Sequence, residues 1–218
     1  MPRVLIISED WPIGAERENA ALSKALSGAG FEVDVITNER RAAAIIEDET
    51  ISKLIRLPVE SSRTSGTLFG LRNALFFDAA ANPGNYSQFR DRLHMHLQET
   101  LYDAVIIVVP PQIYLRLGYW IDETFGIPVW IHLTQAFNDA GKAGFTAWNH
   151  RRLRRKYLGS ARLITASSVN LLRNIPRQQE QLVFVAKPQD EMTLQDPETG
   201  IQADAKALLA SIVRKKAD

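Results

Sequence analysis

The chain has no cysteine, which excludes a disulfide framework and thiol chemistry and fits a cytosolic protein. Long apolar runs are absent too. No segment reaches the ~18 consecutive apolar residues of a membrane span. The N-terminus does not show the basic-then-apolar layout of a signal peptide. Charge of one sign is not in excess: 26 Lys and Arg face 25 Asp and Glu, for a net charge of +1. That balance gives no overall pull toward nucleic acid or acidic partners. There is no Gly-x-Gly-x-x-Gly dinucleotide fingerprint. There is also no Gly-x-Ser-x-Gly elbow, and Ser160, Ser167 and Ser168 do not assemble into a Ser–His–Asp set by spacing. Repeats and low-complexity tracts are missing.

What is present is an ordinary globular composition, 45% hydrophobic and 23% charged over 218 residues. A chain of this size buries roughly 70% of its unfolded surface. Its first 37 residues read as strand, loop, helix, strand. Val4 to Ile7 is an apolar run, Glu16–Gly28 is amphipathic with Ala20, Leu22, Ala25 and Leu26, and Phe31 to Ile36 alternates. This opens a parallel α/β sheet. Further strands are expected at Lys53–Pro58, Ala104–Val109, Pro128–Leu133, Arg162–Ala166 and Leu182–Ala186. Helices are expected at Thr67–Ala80, Tyr86–Gln98, Ile113–Phe125, Ala147–Gly159, Ser167–Asn174 and Ile201–Lys215. Asn82 to Asn85 reads as a turn cluster. Residues 60–98 form an insertion between the third and fourth strands, a helical hairpin over one sheet face or part of a site. The fold class is α/β, Rossmann-like, with a mostly parallel sheet and helices on both faces. Residues 1–188 form the domain; residues 189–218 are a polar crossover and a last helix.

The loop Glu9–Glu16 carries the strongest functional signal. It lies at the carboxyl end of the first strand, where open α/β sheets bind ligands. It also feeds a helix N-terminus, whose unpaired N–H groups favour anions. Gly14 lets the backbone come close to a ligand because it has no Cβ. Asp10, Glu16 and Arg17 are polar side chains within reach. The plain alternative is a βα turn with no ligand.

Four other features invite chemistry. His132 lies in the fifth strand and shares a face with Thr134, opposite Leu133 and Gln135. Such a histidine is either a satisfied core group or, facing a cleft, a proton carrier near pH 7. His94 and His96 are two apart, so a helix points them to different sides and a metal site is not expected. Arg151, Arg152, Arg154, Arg155 and Lys156 form a basic helix: a solvated face, a contact for anionic lipid, or a nucleic-acid contact, which the near-neutral net charge disfavours. Finally, Glu9-Asp10, Thr165 and Lys187 have the flavour of a phosphoacceptor receiver domain. Val108 stands where its aspartate is needed, which disfavours that reading.

Six segments in order, from VLIISEDWPIGAEREN through FGIPVWIHLTQAF to LVFVAKPQD, resemble stations of the N-terminal half of a GT-B glycosyltransferase of the family 4 type. VLIISEDWPIGAEREN looks like its first strand and loop, with Gly14, Ala15 and Glu16 at the Gly-Ala-Glu positions. FEVDVIT, YDAVIIVVPPQIY, FGIPVWIHLTQAF, RRLRRKYLGSARLITASS and LVFVAKPQD follow in the expected order, over about residues 3–190. The resemblance implies one of two Rossmann-like domains facing across a cleft. This one would position a glycan or lipid-linked acceptor, and the other would bind a nucleotide-sugar. That nucleotide-sugar is a co-substrate, with no other cofactor and no metal. Gly14, Ala15, Glu16 and Arg17 would line the donor phosphates, and His132 and Gln135 stand at the catalytic station.

The departures matter. Thr134 and Gln135 replace the family's His-Asp or Arg-Asp pair, and Lys187-Pro188 replace Asn-Gly. The donor domain, with its paired glutamates, has no counterpart in residues 189–218. The chain by itself is therefore expected to be inactive. It would be a fragment of a longer enzyme, half of a split enzyme that pairs with a donor-binding subunit, or a non-catalytic binding module. Trp11 and Phe137 are candidates for the face that meets the missing half.

Overall fold

The computed structural model describes residues 1–9, 16–38, 51–57, 83–109, 112–137, 144–172, 175, 182–187, 193–197, 202–203 and 207. In chain order these give β1 (Arg3–Ile7), α1 (Glu16–Gly28), β2 (Glu32–Asn38), β3 (Lys53–Leu57), α2 (Pro83–Glu99), β4 (Ala104–Val109) and α3 (Ile113–Phe125). Then follow β5 (Val129–Leu133), α4 (Gly144–Leu158), β6 (Leu163–Ala166), α5 (Val169–Leu172), β7 (Leu182–Lys187), β8 (Thr193–Gln195) and β9 (Gln202–Ala203).

The strands form one sheet in the order β3-β2-β1-β4-β5-β6-β7-β8-β9. Every pairing from β3 through β7 is parallel, while β7–β8 and β8–β9 are antiparallel. The run 3-2-1-4-5-6 is the doubly wound order, with its switch point between β1 and β4. A receiver domain winds 2-1-3-4-5, so the order separates this chain from that fold.

Both faces of the sheet are buried, which is why its central strands read as continuous apolar runs. Successive side chains alternate between two cores. Leu5, Ile7, Val105, Ile107, Val129 and Ile131 point to one. On that side they meet Phe89, Leu93 and Leu97 of α2, Leu115, Leu117 and Ile121 of α3, and Tyr157 and Leu158 of α4. Val4, Ile6, Ile106 and Trp130 point to the other, with Leu22 and Leu26 of α1. Gly118 lets α3 lie close to the sheet: a Cβ there would sit 3.1 Å from Val129 Cγ1. Gly126, at φ 60°, ends α3 in the left-handed conformation, and its N–H donates to the Asp122 carbonyl at 2.9 Å.

Three expectations change. Pro83 and Gly84 do not form a turn but open α2, because a proline lacks the N–H that the first helical turn leaves unused anyway. Residues 193–195, read as crossover, form β8. Its signal is short, yet Leu194 is fully buried and anchors it to the second core. Gln202–Ala203, read as the start of a helix, pairs with β8 instead. The expected helix Thr67–Ala80 lies outside the described residues.

Candidate functional site

All seven parallel strands end at one edge of the sheet. Short hydrogen bonds tie their exits together. The Ser8 N–H donates to the Ile36 carbonyl at 3.0 Å, and Thr37 Oγ1 donates to the Glu9 carbonyl at 3.1 Å. Thr134 gives both its N–H (2.9 Å) and its hydroxyl (3.2 Å) to the Val109 carbonyl. Ser167 does the same to the Leu133 carbonyl, at 3.0 and 3.1 Å. A hydroxyl residue just past a strand thus folds back on its neighbour's last carbonyl. The exits are held as a preformed rim, the kind of frame a ligand site needs.

The switch point lies in the middle of this rim. On one side β1 runs out toward α1; on the other β4 runs out toward α3. The N-cap of α3 is Gln112, in a right-handed helical conformation with no side-chain cap bond. It is 8% exposed, and its buried Oε1 accepts no hydrogen bond among the described residues. A buried acceptor left without a donor costs free energy. A ligand hydroxyl or N–H entering here would satisfy it. The sequence offered little warning of Gln112: it is the residue after two prolines at a strand end, with no partner motif nearby.

Of the residues marked from sequence, Gly14 and Ala15 lie outside the described residues, as do Asp10 and Trp11. Glu16 and Arg17 form the first turn of α1, directly beside the switch point. Gln135 is exposed beyond the end of β5. The segment bearing it is pinned at both ends, by Thr134 on Val109 and by Phe137, whose ring lies 4.8 Å beneath the Arg154 guanidinium. Phe137 is half-buried against the first core, so only part of its ring is available to a partner.

His132 faces the second core and is 1% exposed. Its Nδ1 is 2.7 Å from Thr165 Oγ1, which also accepts from Trp130 Nε1 at 2.7 Å. The histidine and Gln135 are therefore not brought together: one is inside the sheet layer, the other on the rim. His94 and His96 diverge as their spacing requires. His94 packs against Trp120 and Phe125, with ring centroids at 5.9 and 5.3 Å, while His96 Nε2 meets the Tyr102 hydroxyl at 2.7 Å. Among the described residues no three His, Asp or Glu side chains converge as metal ligands. No helix among them is long and apolar enough to cross a membrane.

No protein-family model matches this sequence, and no curated protein matches it. Solved structures do match its fold. MurG of Acinetobacter baumannii superposes with a TM-score of 0.51 at 16% identity, over 84% of this chain and 45% of MurG. Phytolacca americana UGT2 without ligand superposes at 0.51 and 13% identity, over 86% of this chain and 52% of UGT2. The same protein complexed with UDP-2fluoro-glucose and pterostilbene gives 0.51 at 12% identity. The chain spans about half the length of the solved structures it matches. At these identities the likeness establishes the fold alone: a Rossmann-like α/β domain that matches about half of each of these structures.

Proposed function

We propose that this chain is the acceptor-side half of a GT-B glycosyltransferase, joined in its working form to a donor-binding unit. The observation that carries the reading is a fold matching half of such molecules, with its rim of strand exits centred on the switch point. The reaction forms a bond between an acceptor hydroxyl oxygen and the anomeric carbon of a nucleotide-sugar. The bond from that carbon to the diphosphate oxygen breaks, and the hydroxyl proton is released. Both reactants must be held together for this, so this half alone does not turn over.

Each residue has a part in this account. In this proposal the donor phosphates meet backbone N–H groups at the N-terminus of α1, at Glu16 and Arg17, and Gly14 and Ala15, just before it in sequence, complete the same set. Gln135, an amide that neither takes a proton nor carries charge, orients the acceptor hydroxyl. Gln112 offers its buried oxygen to a second hydroxyl. His132 acts through Thr165 to hold the end of β5, as a positioning residue.

Saturation-transfer NMR tests this with UDP-glucose and a panel of neutral hydroxylated acceptors, phenols and hexosides. Acceptors should bind, Gln135→Ala should weaken them at least about fivefold, and UDP-glucose should not be consumed. Consumption of UDP-glucose by this chain alone, or no acceptor binding, would contradict the proposal. The uncharged Gln135 favours a second reading, a binding module without transfer. That reading predicts acceptor binding but no transfer when a donor-binding unit is supplied.

A further inference from the structure

The carboxyl end of β5 opens into the segment Thr134-Gln135-Ala136-Phe137. Gln135 and Ala136 are exposed, so burial of their side chains does not fix them. Thr134 is tied to the Val109 carbonyl, and the next anchor is Phe137. The Phe137 ring packs on the edge of the first core and meets Arg154 of α4. Arg154 stands apart from its basic neighbours. Arg151, Arg152, Arg155 and Lys156 are exposed, while Arg154 is 7% exposed. A side chain on a helix leans toward the helix N-terminus. For α4, which follows the exit of β5, that end lies at the rim. Taking a cation out of water is costly unless something replaces the lost hydration. Here the Arg154 guanidinium lies 4.8 Å from the Phe137 centroid, within the range where the negative face of a ring attracts a cation. A guanidinium is planar and weakly hydrated, which suits it to a ring face in the interior better than an ammonium.

We infer that Arg154 is a positioning residue for the rim: it holds the Phe137 ring and so fixes where Gln135 presents its amide to an acceptor. The inference rests on the proposed reading of Gln135 as the group that orients the acceptor hydroxyl. Arg154 is buried and does not itself touch the acceptor. Its effect passes from guanidinium to ring, and from the ring through the backbone of Ala136 to Gln135. That tie is short, since two residues of chain span at most about 7 Å. A shift of the ring is therefore felt at the amide. A displacement of about 1 Å is enough to spoil an orienting contact. Thr134 holds the other side of Gln135 independently, so loss of the Arg154 contact frees one end of the segment and leaves β5 in place.

The test reads two quantities on the full chain. One is the mobility of the Gln135 amide by nitrogen-15 relaxation without ligand. The other is affinity for a phenol, 4-methylumbelliferone, and a hexoside, methyl glucoside, by saturation-transfer NMR. Arg154→Met removes the charge at similar length, and Phe137→Leu removes the ring from the other side of the contact. Each should loosen the Gln135 amide and weaken acceptor binding about threefold or more. These losses should not add to that of Gln135→Ala: Arg154→Met combined with Gln135→Ala should bind within about twofold of Gln135→Ala alone. Arg154→Lys, which keeps a cation over the ring, should hold binding within about twofold of the wild type. Circular dichroism verifies that the variants fold. Phe137→Leu, at a half-buried position, carries the test where Arg154→Met does not fold. An unchanged Gln135 amide in the folded variants, losses that multiply with that of Gln135→Ala, or no rescue by Arg154→Lys would overturn the inference and leave the proposed function standing. Wild-type affinity in Gln135→Ala, or no binding of either probe by the wild type, would overturn the reading of Gln135 and the inference with it.

Discussion

The residue with the most consequential surroundings away from the rim is Asp34. It is fully buried in β2, and its Oδ2 accepts from Arg3 Nε at 3.1 Å and from the Tyr102 hydroxyl at 2.7 Å. Arg3 also closes an ion pair to it at 2.9 Å. Burial, then the hydrogen bond to Asp34, push the Tyr102 phenol far above its usual range, so it stays a donor. His96 lies next in this chain of contacts, and burial, followed by the Lys53 charge, holds its pKa below the ordinary histidine value. The unfolded chain therefore takes up this proton before the folded one does. The contribution of His96 is complete above about pH 6.5 and is lost as pH falls below it. Urea midpoints should decline between pH 7.5 and 5.5, and His96→Gln should flatten that decline. A second residue-scale prediction concerns Thr165. Thr165→Val takes a partner from both Trp130 Nε1 and His132 Nδ1 inside the sheet. The expected loss is about 2 kcal/mol in urea unfolding, a larger effect than an exposed threonine would give.

At the scale of elements, α3 is held against β4 and β5 by the absence of a side chain at Gly118, where a Cβ would also come within 3.4 Å of Ile107 Cγ1. Gly118→Val should force the helix outward and cost about 2 kcal/mol, read as a lowered denaturation midpoint. Most elements were legible in the sequence because their signals were redundant. β4, AVIIVV, is a fully buried strand with an unbroken apolar run, and α3 combines helical spacing with a glycine stop at Gly126. Elements without such redundancy are set by single contacts. β8 depends on one buried leucine, Leu194, and on pairing with a strand already in place. Pro83 reads as a turn because proline serves both turns and helix starts, and here it starts α2. The site was legible in part. The rim follows from strand order, but the burial of His132 and, among the described residues, the lack of a donor to Gln112 Oε1 come from packing between elements distant in sequence.

At the scale of the whole molecule, the described residues bury a core on each face of the sheet. The proposed reaction needs a second unit, since the fold matches about half of MurG and of UGT2. The most direct test is to isolate the native assembly from its source with antibody against this chain and assay sugar transfer. The proposal predicts release of nucleoside diphosphate from a nucleotide-sugar, dependent on a hydroxylated acceptor and lost with Gln135→Ala. A native assembly that binds acceptor yet transfers no sugar from any nucleotide-sugar would contradict it.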